Sequence, residues 1–192
     1  MKQRITEKKL RRFQRLLSIR MIDFDCGKLC APKNNGIPFC CDNESIVPVL
    51  FHEEFNRHGK NGKFWKKVPV RNDSIRKMIE ESASYYVFSI CPVPANCRRS
   101  RRSLNCMTFP FEPHVSRSGE VAGLVYTDNG KDGCALMKKS RRIYNPVYIA
   151  NSIVFWQELF DLYPEEKELY IHESGKRERR LKRQGKKIRV FK

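Results

Sequence analysis

Several things are missing from this sequence, and each absence narrows what it can do. No apolar run approaches the roughly 18 residues that a membrane-crossing helix needs. The N-terminal stretch is charged, with neither an apolar core nor a small-residue cleavage site, so it does not read as a secretory signal. There is no Gly-rich phosphate loop, no dinucleotide fingerprint and no internal repeat. Histidine is scarce, at four residues, and His58 lies six positions after His52 rather than at the four-residue spacing of a helical metal pair. No Ser/His/Asp set or paired carboxylates stand out, so no catalysed reaction is readable. Acidic residues are nearly absent from both ends. Residues 1–20 carry eight Lys/Arg against Glu7, and 175–192 carry ten against Glu178. The intervening 21–174 hold 21 basic and 19 acidic residues, so the net charge of +18 sits mostly at the termini.

What is present is cysteine, eight residues of it in 192. With no export signal the expected compartment is the cytoplasm, where thiols stay reduced and a cysteine-rich chain favours metal ligation over disulfides. Cys26 and Cys30 are separated by three residues, a usual half-site spacing for tetrahedral zinc or a cluster. The doublet Cys40-Cys41 follows nine residues later. Cys91, Cys97 and Cys106 fall in a stretch punctuated by proline, arginine and serine, and Cys134 stands between Gly133 and Ala135. All eight are candidate metal ligands, and eight thiolates divide into two four-cysteine sites. One or two of them could instead be small buried hydrophobes. In extended backbone adjacent cysteines point apart, so the doublet suggests two neighbouring sites or one ligand beside a buried thiol. Ligands scattered through loops, near Arg98, Arg99, Arg101 and Arg102, favour an iron–sulfur centre over zinc, because guanidinium groups stabilise an anionic all-thiolate site. His114, close after Cys106, is the one histidine placed to assist.

The chain reads as α+β. It is expected to be a small irregular cysteine-rich metal-binding domain (22–174) with a few short strands and flanking helices, between a basic amphipathic N-terminal helix (1–21) and a basic tail (175–192). Leu10, Phe13, Leu16 and Leu17 share one face of a helix over 6–20, with Thr6 as its cap. Short strands are expected at 45–51, 85–90 and 121–126, and helices at 52–58 and from Asn72 to about Ser82. A long helix should start at Pro146 and restart at Pro164. After Ser174-Gly175 the composition is almost all Lys/Arg, which predicts an arm outside the fold. Arg179, Arg180, Lys182, Arg183, Lys186 and Lys187 are its candidate contacts to nucleic acid or an acidic protein.

The order Cys-x3-Cys, Cys-Cys, and later Cys97-x8-Cys106-Met-Thr-Phe109-Pro110, with Arg102 ahead of the last cysteine, resembles the CxxCxxCC family of YkgJ-type zinc- or iron-chelating proteins. That family's second block ends Arg-Pro-x-x-Cys-Arg-x-Phe-Pro. Here Ser103 stands for the proline and Met107 for the second arginine, and the gap before the doublet is longer. The resemblance, over about residues 22–135, implies one or two iron–sulfur clusters of the 4Fe-4S kind, or Zn2+, held by these cysteines. Two readings from other classes remain open: a zinc-stabilised nucleic-acid-binding module using the basic ends, and a disulfide-switching thiol protein.

Overall fold

The computed structural model describes residues 5–42, 46–59, 64–91, 101–131 and 133–192. The fold is a mixture of helix and sheet in which two small antiparallel sheets pack around a central helix pair. Among the described residues no helix is long and apolar enough to cross a membrane.

The centre is α6 (Pro146–Leu162), apolar around most of its circumference and therefore buried on several sides. It starts where expected, with Pro146 at its first position and the Asn145 side chain accepting from the Val147 amide. It stops at Tyr163, which the following Pro164 holds out of helical conformation. α7 (Pro164–Arg183) then begins at once. The N-terminal helix α1 (Glu7–Leu17) lies on α6. Leu10, Phe13 and Leu17 are fully buried, and Phe13 meets Phe155 edge-on at 5.0 Å between ring centres. Thr6 caps it by accepting from the Lys9 amide. Burying three such side chains stabilises by about 2 kcal/mol each, so this helix belongs to the core. Its cations are partly spent at home: Lys9 and Arg12 both pair with Glu158.

Three short helices come after α1 in the chain: α2 (Gly27–Cys30), α3 (His52–Gly59) and α4 (Asp73–Glu80), the last capped by Asn72 as its sequence predicts. β1 (Val49–Phe51) and β2 (Lys66–Lys67) flank β3 (Tyr86–Ile90) in one antiparallel sheet, and Pro48 delays the first of these relative to expectation. α5 (Leu104–Thr108) follows. β4 (Phe111–Val115) pairs with β5 (Val121–Tyr126), with an irregularity at His114/Val115. β4 escapes a sequence reading because Pro113 interrupts its alternation; in the sheet it sits opposite Leu124.

The tail expectation is corrected. α7 runs unbroken through Ser174 and Gly175, and Ser174 is buried, its hydroxyl accepting from the Val115 amide. Beyond the helix the chain returns to the sheet. Phe191 exchanges backbone hydrogen bonds with Leu124 and is 5 % exposed among Phe111, Tyr126 and Tyr144. Gly123, at φ +144°, makes this possible, since a Cβ there would lie 2.3 Å from the Phe191 carbonyl oxygen. A composition dominated by Lys/Arg hid one aromatic anchor.

Candidate metal centre

The nine residues between Cys30 and Cys40 fold back on themselves. Asn35 and Gly36 both take positive φ, and the Gly36 and Ile37 amides bond to Ala31 and Asn34 carbonyls. Gly27 lies against Pro38, where an added Cβ would be 3.0 Å from the ring. The Phe39 amide then donates to Cys30 Sγ at 3.4 Å. The long insertion is thus a closed loop that returns Cys40 to the Cys26–Cys30 pair. Cys40 and Cys41 occupy a single 3-10 turn, with sulfurs 4.0 Å apart, rather than extended backbone. Gly133 faces the Phe39 ring so closely that a Cβ would be 2.0 Å from it, and this contact brings Cys134 over the same loop.

Two adjoining cavities result. The first, about 40 Å3, is lined by Cys26, Cys30, Cys40, Cys106 and Cys134. The second, about 20 Å3, is lined by Cys40, Cys41, Cys91 and Cys106, with Trp65 and Pro48 as apolar wall. Cys40, Cys106 and Arg102 belong to both. Cys106 is held by α5, whose cap Ser103 accepts from the Cys106 amide at 3.1 Å. The buried Glu54 carboxylate fastens that helix to the sheet, accepting from the Leu104 amide with one oxygen and the Phe51 amide with the other. Asn105 adds a bond to the Val49 carbonyl. Cys91 directly follows β3 and is buried beside Leu50, Phe64 and Trp65.

The seven described cysteines form no disulfide with one another. Burial pushes Cys26 and Cys134 up, and Cys40 is raised first by its hydrogen bond with Cys41 and then by burial. The positive charge of Arg102 acts in the opposite sense on Cys26 and Cys40, and the Leu136 and Met137 amides do so at Cys134. Arg102 therefore stands where a charge-compensating group for thiolates would be, whereas Arg101 lies over the Phe64 ring at 5.3 Å. Cys97, Arg98 and Arg99 fall outside the described residues.

Among the described residues no three His, Cys, Asp or Glu side chains are close enough together to hold one ion as they stand. The donor set still fits a soft metal. Thiolates with amide N–H and guanidinium neighbours suit zinc or iron–sulfur chemistry. His114 is elsewhere: it is buried in β4, with Nε2 3.2 Å from a Glu178 oxygen. His52 is exposed and bonded to the Ser84 carbonyl. Of the tail cations, Arg180 pairs with Asp128, while Arg179, Lys182, Arg183, Lys186 and Lys187 are exposed.

A comparison of the chain with protein-family models, curated proteins and solved structures finds no match.

Proposed function

We propose that this is a metal-binding protein of the CxxCxxCC type, holding an iron–sulfur cluster or zinc through cysteine thiolates. One observation carries the reading: seven cysteines from five separate chain segments line two adjoining cavities, and Arg102 borders both. Buried cysteines serving only as small hydrophobes have no reason to gather in this way. In this reading Cys26, Cys30 and Cys134 serve the larger cavity, Cys41 and Cys91 the smaller, and Cys40 and Cys106 stand at the boundary. The bound centre supplies thiolate-held charge, and redox capacity where it contains iron. Arg102 offsets that charge, and the Phe39 amide bonds to the Cys30 sulfur. Thiols raised by burial must release protons to bind, so loading is coupled to proton release. A reducing compartment such as the cytoplasm is the setting this chemistry requires.

The test is metal and acid-labile sulfide content of anaerobically purified protein, with its visible spectrum. Iron with sulfide and broad visible absorbance identifies a cluster, and stoichiometric zinc with no colour identifies a zinc site. Protein that purifies folded with neither, and takes up neither, overturns the reading.

A polyanion-binding role accompanies it. Lys182, Lys186 and Lys187 line one shallow cleft at the C-terminal end of α7, and Arg179 and Arg183 are exposed nearby. RNA, DNA or an acidic protein fits that charge, and a nucleic-acid partner would show log-linear salt dependence. If the centre proves to be zinc, the zinc-stabilised nucleic-acid-binding module becomes the better description.

A further inference from the structure

A larger cavity, about 350 Å3, shares Cys40 and Cys106 with the thiol-lined chambers. Its size is that of a small-molecule site. Its charge runs against the rest of the molecule. The chain has 39 Lys/Arg and 21 Asp/Glu, yet among the described residues lining this cavity there is no lysine, arginine or histidine, and there are two glutamates. Glu112 is already engaged by Arg177. Glu166 is different: 3 % exposed, it accepts hydrogen bonds from the phenols of Tyr85, at 2.6 Å, and Tyr86. No cation pairs with it among the described residues, an expensive condition for a buried carboxylate. Beside it in the cavity lining are Trp156 and Tyr170, packed edge to face at 5.1 Å between ring centres.

A carboxylate lacking its counter-cation, with aromatic rings alongside, is complementary to an organic cation. A phosphate or nucleotide would find nothing here to neutralise it. We propose that this cavity binds a small organic amine, its ammonium on Glu166 and its apolar body along Trp156 and Tyr170, beside Cys40 and Cys106. The inference goes beyond metal binding and does not require it, since none of the groups that recognise the amine is a candidate metal ligand.

The test is calorimetric titration of the full chain with phenethylamine and with hydrocinnamate, which has a similar aromatic body but the opposite charge. The amine is expected to bind saturably and the carboxylate at least about tenfold more weakly, because the latter sets like charges together. Glu166→Gln should weaken the amine at least about tenfold. Leu169→Lys should do the same without disturbing a buried hydrogen bond, because Leu169 lines the cavity yet is 49 % exposed. It decides the matter if Glu166→Gln fails to fold. Absence of saturable amine binding, equal affinity for the two probes, or unchanged affinity in Leu169→Lys overturns the proposal. Metal content measured on the same samples separates this outcome from failure of the metal-binding reading.

Discussion

The sulfurs of Cys40 and Cys41 lie 4.0 Å apart on one 3-10 turn, yet only Cys40 reaches both thiol-lined cavities. The two are therefore not equivalent. Cys40→Ser is expected to lower metal affinity by more than about 100-fold, beyond the loss typical of an outer-shell change. Cys41→Ser should cost clearly less. Chelator competition followed by metal analysis checks the order, and equal losses would place both sulfurs on one centre.

Arg102 and Arg101 make a matched pair of test positions. Arg102 borders both cavities, while Arg101 lies over Phe64. Arg102→Gln should lower the reduction potential of a cluster, or weaken zinc retention, since removing positive charge disfavours the more negative state. Arg101→Gln should leave both unchanged. Voltammetry or chelator competition on the two variants distinguishes them.

Glu54 ties stability to pH near neutrality. Burial raises its carboxyl from the usual carboxylate range to about 7, against the two amide bonds that favour the ionised form. The folded-state value lies above the unfolded one, so this group's contribution is fully present below about pH 4.5 and is lost as pH rises through about 7. The loss is on the order of 3 kcal/mol. Glu54→Gln should flatten that decline and lower stability at acid pH, because an amide cannot accept from both the Phe51 and Leu104 amides. Denaturant midpoints measured from pH 5 to about 8 check this, and an unchanged profile would remove Glu54 as the cause.

Phe191 is expected to matter to folding, not to partner binding. Phe191→Ala should destabilise by about 3 kcal/mol, as for other buried aromatics. Gly123→Ala should imitate it by driving the Phe191 backbone off the sheet edge. A Lys186→Gln/Lys187→Gln variant should keep its melting temperature and show a shallower salt dependence of nucleic-acid binding. The reverse pattern would restore a detached arm.

Much of the fold was legible as local pattern. The face Leu10, Phe13 and Leu17, the Asn72 cap, the apolar run 121–126, and the prolines at 146 and 164 all announce elements that form where their chemistry says. Propensity, capping and periodicity act over a few residues, so one stretch of sequence contains all that is needed to read them. The count of cysteines singled them out as a group, and the structure brings the seven described ones to two adjoining cavities. Three things depended on distant partners. The doublet's return to Cys26 and Cys30 rests on Gly27 against Pro38, and the placing of Cys134 on Gly133 against Phe39. The anchoring of Phe191 rests on Gly123 opposite it, 68 positions earlier in the chain. The cavity around Glu166 is walled by strand, loop and helix residues scattered from Cys40 to Tyr170. Steric fit between remote segments has no local signature, and only packing decides it.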